Sequence, residues 1–125
     1  MSTQVTPHFI NGEYTSGTGD KIFLNRRPID NSIISKVGEA TRTDVDAAVS
    51  AARKAVSGPW SQISLQEKTE ILYAIAAGIE ERFDKFLDAE VADTGKPVDL
   101  ASRIDIPRGA ANFCTFADVV KNVSG

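Results

Sequence analysis

The spacing of apolar residues changes once along the chain, near Glu39, and this change constrains the fold more than any other feature of the sequence. Before it, short runs rich in aromatic and β-branched residues alternate with turn formers, which is typical of strands. After it, apolar residues recur about every 3.6 positions, which is typical of amphipathic helices. The sequence therefore predicts strands and turns over residues 8–38 and helices over residues 43–121.

The strand region is predicted to open with a β-hairpin. Asn11-Gly12 separates two short runs of strand-forming residues, and both residues tolerate the positive φ that a two-residue hairpin turn requires. "KIFLN" and "SIISKVGEA" are two further predicted strands, joined by a turn at "RRPIDNS". "SGTGDK" is interpreted as a hairpin loop, because it lacks the buried strand and the helix that flank a phosphate-binding loop.

Two amphipathic helices are predicted directly after the strands. Thr43 with Asp46 is the expected N-terminal cap of the first helix, and Gly58-Pro59 is its expected end. Ser64 and Glu67 have the spacing of a capping box, so a second helix should begin there.

Two more helices complete the prediction. The third is expected to stop at Gly95, and the fourth to run from about Val98 to Lys121. Pro107 lies inside the fourth helix, where it removes a backbone donor and crowds the carbonyl of Arg103, so we expect a kink or a break there. Beyond Pro107 an apolar face is predicted, made of Ala110, Phe113, Cys114, Ala117 and Val120.

Composition and charge exclude several classes of function. The net charge of the 125 residues is −3, and no run of Lys or Arg supplies the basic surface that nucleic acid or an anionic membrane needs. No segment of some twenty apolar residues and no signal peptide is present, so we expect no membrane partner and a cytoplasmic location. One cysteine and one histidine cannot form a Cys/His metal cluster, and the lone cysteine agrees with a reducing compartment.

The residues by themselves give no complete active site. Cys114 lies on a predicted apolar helix face and is interpreted as a small core residue, and His8 as a surface residue of a strand. The amphipathic helices leave much apolar face in need of a partner. Two interpretations follow: the chain is part of a larger protein, or it is a stand-alone helical module that binds a protein partner.

Five segments, taken in order, resemble the N-terminal quarter of the aldehyde dehydrogenase superfamily. They are "FINGEY", "NRRPIDNSIISKVGEA", "DVDAAVSAARKAV", "ILYAIAAGIEER" and "DTGKP". The resemblance implies an α/β, aldehyde dehydrogenase-like fold for the full-length protein. Residues 1–125 would form the N-terminal part of its NAD-binding domain, with a β-hairpin and short strands followed by about four α-helices. "DIPRGAANF" is similar to the branch that oxidises 2-hydroxymuconic or 2-aminomuconic semialdehyde in the meta-cleavage of aromatic rings.

The resemblance also implies a chemistry. Members of the family use NAD, a nucleophilic cysteine and a glutamate base, and they assemble as homodimers or homotetramers. The motifs that carry these catalytic groups lie beyond the part of the family that this chain resembles. Cys114 follows Asn112-Phe113 and not the Gly-Gln of the family motif, so it does not inherit the catalytic role. We therefore expect no catalytic residue within this chain, and no activity from the chain alone.

Two site assignments come from the same resemblance. Many members bind a structural monovalent cation, and the matching positions here are Asn25, Arg26 and Asp93, although Arg26 replaces a usually apolar residue. Arg108 matches a position that lines the family's substrate tunnel. Its guanidinium suits a semialdehyde that carries a carboxylate, because it offers a bidentate fork to that group. The alternative is that Arg108 is a solvated residue beside a kinked helix, in a relative that acts on another aldehyde.

Overall fold

The computed structural model describes residues 5–123. The chain divides into two compact units, Met1–Gln62 and Ile63–Gly125. The first carries the strands and two helices, and the second is helical, so the predicted change from strand to helix near Glu39 is confirmed. Within the described range no helix combines the length and the apolar character needed to cross a bilayer.

The first unit contains a three-stranded sheet and a separate hairpin. The described strands are β1 (Val5–Thr6), β2 (His8–Ile10), β3 (Glu13–Thr15), β4 (Ile22–Arg26) and β5 (Ile33–Gly38). β5 is the centre of the sheet, with β1 parallel on one side and β4 antiparallel on the other. β1 was not among the strands predicted from the sequence, because two residues carry no periodicity.

The hairpin forms where the sequence predicts it. Ile10 of β2 pairs with Glu13 of β3, and the two residues between them, Asn11 and Gly12, have φ values of 56° and 83°. Positive φ at both positions matches the two-residue turn whose twist suits a hairpin. The asparagine and glycine therefore fix the register of these two strands.

The first helix, α1 (Arg42–Val56), begins one residue before the predicted cap. Its N-cap is Thr41: the backbone N–H of Asp44 donates to Thr41 Oγ1 at 3.3 Å, and the N–H of Thr41 donates to the Asp44 carboxylate at 2.8 Å. The predicted cap of Thr43 with Asp46 is wrong. Both pairs have capping-box spacing, and only tertiary contacts of Asp44 distinguish them.

Those contacts come from the loop that joins β3 to β4. This loop is not the predicted hairpin loop, because its two strands belong to different sheets. Thr18 donates its backbone N–H to Asp44 Oδ1 at 2.9 Å, so the loop is tied to the start of α1. Asp44 is buried, and its hydrogen bond from the backbone of Thr41, its strongest favourable contact, holds the pKa of the carboxyl below its usual value.

His8 is packed against the same loop and is not the surface residue that the sequence predicts. Gly17 has a φ of 81°, and a Cβ added to it would lie 2.9 Å from His8 Cδ2. The His8 Nε2 atom is buried without a hydrogen-bond partner among residues 5–123. A glycine at position 17 is thus required both by the backbone conformation and by the imidazole beside it.

The second unit is built on four helical elements. They are α3 (Leu65–Glu81), α4 (Phe83–Thr94), α5 (Val98–Leu100) and α6 (Ile106–Asn122); the short α2 (Pro59–Gln62) closes the first unit after α1. α3 packs along α6, and the side chains buried in this unit are small or medium-sized. They are Thr69, Ala76, Ala101, Ile106, Ala110 and Ala117.

The cap of α3 is the one that the sequence predicts. Ser64 Oγ accepts from the backbone N–H of Glu67 at 3.2 Å, and the Glu67 carboxylate accepts from the N–H of Ser64 at 2.8 Å. The Ser64 backbone hydrogen bond lowers the pKa of Glu67. Two backbone donors that the helix leaves unpaired are thereby satisfied.

Replacing Ser64 by Ala should lower the free energy of unfolding by about 1 kcal/mol, because the N–H of Glu67 loses its acceptor. The change is measured as the difference between variant and parent in the midpoint of denaturant-induced unfolding. Ser50→Ala, on an exposed turn of α1, is the control and should leave the midpoint nearly unchanged. Equal effects of the two substitutions would contradict the importance of the cap.

The last predicted helix contains a π-helical turn. Residues Ala101–Asp105 form this turn between α5 and α6, and the N–H of Ile106 reaches back five residues to the carbonyl of Ala101. Pro107 follows at once, in the first turn of α6. The wider turn relieves the contact between a proline ring and the carbonyl four residues before it. The irregularity expected at Pro107 is present, and it takes this form without a break in the helical path.

Candidate functional site

Arg108 lies in the first turn of α6, directly after the π-helical turn and Pro107. Its side chain is exposed, and within residues 5–123 it has no hydrogen bond, ion pair or ring contact. Ile106 and Ala110, two residues to either side, are buried. The π-helical turn adds a residue to one helical turn and so helps to fix which side of α6 turns inward. Arg108 is left on the outer side, with its guanidinium available to an anion.

A cluster of charged residues surrounds the turn that precedes Arg108. Lys96 Nζ lies 2.8 Å from Asp105 Oδ2 and 3.6 Å from Glu90 Oε1. The hydrogen bond to Asp105, the largest cause, raises the pKa of Lys96, because it stabilises the charged ammonium. The cluster joins the end of α4 to the last residue of the π-helical turn.

The geometry of this cluster depends on Gly95. This glycine ends α4 as the sequence predicts, with a φ of 70° and its N–H bonded to the carbonyl of Val91 at 3.0 Å. The left-handed conformation turns the chain back, which places Lys96 beside Asp105, nine residues on. Sequence reasoning missed this pair. The signal that could have predicted it is a lysine directly after a helix-ending glycine, followed by a carboxylate in the next helical segment.

A second ion pair lies on the outer surface of the same segment. Arg103 pairs with Asp99 one helical turn away, and both side chains are more than two thirds exposed. A pair of this kind contributes little, because water screens it. Arg103 therefore differs from Arg108: both guanidinium groups are exposed, but within the described part of the chain only that of Arg103 has an ion-pair partner.

The three positions assigned to a monovalent cation fall in both units. Asn25 and Arg26 lie in β4, where the pairing with β5 shifts register, and Asp93 lies near the end of α4. The Arg26 guanidinium donates to the carbonyl of Asn31 at 2.9 Å. The side-chain charge of Arg26 is thus engaged within the turn between β4 and β5, and what Arg26 itself can offer a cation is its backbone carbonyl.

The two residues considered as a nucleophile and a base do not form a site. Cys114 is half-buried on the inner side of α6, in agreement with the prediction of a packing residue, and His8 belongs to β2 in the first unit. In the part of the chain that the structure describes, no group of three or more His, Cys, Asp or Glu side chains could hold a metal ion. The exposed Arg108 is the strongest candidate for ligand binding.

Comparison with known sequences identifies one family. The profile of the Aldehyde dehydrogenase family matches residues 14–125. A 2-hydroxymuconic semialdehyde dehydrogenase of Pseudomonas sp. (strain CF600) is 54% identical over 117 residues, which are 94% of this chain and 24% of that protein. A 2-aminomuconic 6-semialdehyde dehydrogenase of Pseudomonas sp. is 44% identical over 113 residues, covering 90% of this chain and 23% of that protein. The chain spans about a quarter of the length of these relatives.

Solved structures give the same result. An aldehyde dehydrogenase from Bacillus cereus in complex with NAD+ superposes with a TM-score of 0.91 at 35% identity, over 98% of this chain and 25% of that protein. An NAD-dependent benzaldehyde dehydrogenase from Corynebacterium glutamicum has a TM-score of 0.87 at 28% identity, over 96% of this chain and 26% of that protein. The strands and helices described above therefore have the arrangement found in this group of enzymes.

Proposed function

The chain belongs to the aldehyde dehydrogenase family, and from that premise we propose that it is the N-terminal part of an enzyme that oxidises 2-hydroxymuconic semialdehyde to the carboxylate. Oxidation of 2-aminomuconic semialdehyde is the alternative within the family. Residues 1–125 would belong to the NAD-binding domain. NAD, when bound to the complete enzyme, accepts the hydride that the aldehyde loses.

The observation that supports the substrate class is the exposed guanidinium of Arg108, which has no partner among residues 5–123. Desolvating an arginine against an apolar aldehyde costs free energy, whereas a carboxylate on the substrate compensates that cost with two parallel hydrogen bonds. Muconic semialdehydes carry such a carboxylate at the end remote from the aldehyde. Arg108 is thus proposed to bind the carboxylate and orient the aldehyde toward the catalytic groups.

Three features of the proposal rest on family membership. A structural monovalent cation is proposed with Asn25, Arg26 and Asp93 as its protein ligands, the first two through backbone carbonyls. The complete enzyme is proposed to be a homodimer or homotetramer in the cytoplasm. The nucleophile and the base are proposed to lie outside residues 1–125, so these residues alone should not reduce NAD.

The proposal is tested by measuring NADH formation by the complete enzyme with each of three aldehydes. We expect kcat/KM for 2-hydroxymuconic semialdehyde to exceed that for benzaldehyde, which lacks a carboxylate, by at least about tenfold, the smaller end of what one charged hydrogen bond provides. The muconic semialdehyde with the higher kcat/KM, 2-hydroxymuconic or 2-aminomuconic, is the better substrate of the two. Equal kcat/KM values for the muconic aldehydes and benzaldehyde would refute the substrate class.

The intact mass of the protein in its cells tests the rival interpretation. Several large apolar side chains are exposed, among them Phe9, Tyr14 and Phe116, as a protein-binding module would require. A species several times heavier than 13.4 kDa supports the enzyme, and a stable 13.4 kDa species without dehydrogenase activity supports the module.

A further inference from the structure

The charged cluster beside Arg108 contains a competitor for that arginine. Asp105 precedes Arg108 by three residues, and the backbone of Asp105 and Ile106 is helical, with φ and ψ of −68°, −50° and −69°, −48°. Side chains three apart on a helix are neighbours, and an Asp and an Arg at this spacing attract each other. Asp105 could therefore form an ion pair with Arg108 from its position in the chain.

In the structure Asp105 has a different partner. Its Oδ2 atom accepts from Lys96 Nζ at 2.8 Å, and Glu90 adds a second carboxylate 3.6 Å from the same ammonium. The Asp105 side chain is 26% exposed, compared with 71% for Asp46 in the surface pair with Arg42. The pair with Lys96 is thus shielded from water more than a surface ion pair, and it holds the carboxylate of Asp105 away from Arg108.

We propose that Lys96 is a positioning residue that keeps Arg108 free for the substrate carboxylate, by holding Asp105 in an ion pair of its own. This inference rests on the proposed role of Arg108 and adds the means by which its selectivity is maintained. Lys96 touches neither substrate nor cofactor in this account. Without the lysine, Asp105 turns toward Arg108, occupies part of its hydrogen-bonding fork and repels the incoming carboxylate.

The proposal predicts how a double variant of Lys96 and Asp105 behaves. If Lys96 acts only by neutralising Asp105, then removing the Asp105 charge should cancel the effect of removing Lys96. If Lys96 only supports the fold, the double variant should keep the defect of Lys96→Met. The contact between α4 and the π-helical turn is lost in both variants, so removing Asp105 as well cannot restore it. The double variant separates these two roles.

The experiment measures KM and kcat of the complete enzyme for 2-hydroxymuconic semialdehyde and for benzaldehyde. Lys96→Met should raise KM for the muconic substrate about two- to fivefold, the range of one competing exposed ion pair, and leave kcat and the benzaldehyde KM unchanged. Lys96→Met with Asp105→Asn should return KM to within about twofold of the parent. Added salt should reduce the effect of Lys96→Met by screening the competing pair.

Two variants serve as controls. Lys85→Met removes a lysine from an exposed position of α4 and should change neither KM. Asp105→Asn alone should leave the muconic KM within about twofold of the parent, since Arg108 gains no competitor. A rise in the muconic KM for Asp105→Asn would overturn the proposal even if Lys96→Met fails to fold.

The remaining outcomes distinguish the role of Arg108 as substrate anchor from the role of Lys96 as positioning residue. If Arg108→Leu raises the muconic KM but Lys96→Met does not, the role of Lys96 is refuted and that of Arg108 stands. If Lys96→Met affects both aldehydes equally, or if Asp105→Asn does not suppress it, Lys96 is a structural residue and the proposal fails. If Arg108→Leu has no effect, the substrate anchor itself is refuted, and the role of Lys96 with it.

Discussion

Replacing Arg108 by Leu should raise the KM of the complete enzyme for 2-hydroxymuconic semialdehyde by about 10- to 100-fold. The KM for benzaldehyde should stay unchanged or fall, because an apolar aldehyde no longer has to desolvate the guanidinium. Hydrogen bonds to a charged group contribute roughly 1.5–3 kcal/mol, which corresponds to this range of affinity. The selectivity for one substrate follows because only the muconic aldehyde has a carboxylate for the guanidinium to bind. Steady-state kinetics with both substrates measure the effect.

Arg103 is a matched control for this prediction. It is an exposed arginine one helical turn before Arg108, but its guanidinium is paired with Asp99. Arg103→Leu should therefore leave both KM values nearly unchanged. Arg108→Lys should fall between Leu and the parent, since an ammonium retains the charge and loses the bidentate geometry. Similar effects of Arg103→Leu and Arg108→Leu would show that general surface charge, and not a specific contact, attracts the substrate.

Replacing Ala117 by Leu should destabilise the second unit by about 1–3 kcal/mol, the usual cost of forcing extra methylene groups into a well-packed site. Ala117 has no exposed surface, and it lies on the side of α6 that packs along α3. Small residues at such a seam let two helices approach closely, so a larger side chain must push them apart. Hydrogen exchange of the α3 and α6 amides in the complete protein measures the loss locally.

Ala111 provides the comparison for this second prediction. It lies on the same helix but is exposed, and Ala111→Leu should change the local free energy by no more than about 0.5 kcal/mol. If Ala117→Leu and Ala111→Leu accelerate exchange equally, the close packing of α3 on α6 is not what stabilises this unit.

Local sequence signals predicted several elements correctly. Asn11-Gly12 set the hairpin, and Ser64 with Glu67 set the start of α3, because each signal is complete within a few residues. Gly95 likewise ended α4 through its own left-handed conformation. In each case the backbone donors and acceptors of the signal are satisfied by neighbours in sequence, and no equally good pair lies beside it.

Predictions failed where a local choice depended on distant residues. The first helix could be capped by Thr41 or by Thr43, and the hydrogen bond from Thr18 to Asp44 supports the first. His8 looked like an ordinary strand residue, yet the loop at Gly17 covers its ring. Neither contact can be read from periodicity, since the partners lie far apart in the chain.

In the candidate site, too, some features follow from the local sequence and others depend on distant contacts. The sequence by itself determined that Arg108 follows a proline in a helix and that its charge suits a carboxylate, because residue type and spacing fix both. Only the tertiary structure decided that the irregularity is a π-helical turn, that Arg108 is exposed and has no partner among residues 5–123, and that Lys96 holds Asp105. The physical reason is that an ion pair forms between groups that the fold brings together, and the left-handed turn at Gly95 brings Lys96 to Asp105.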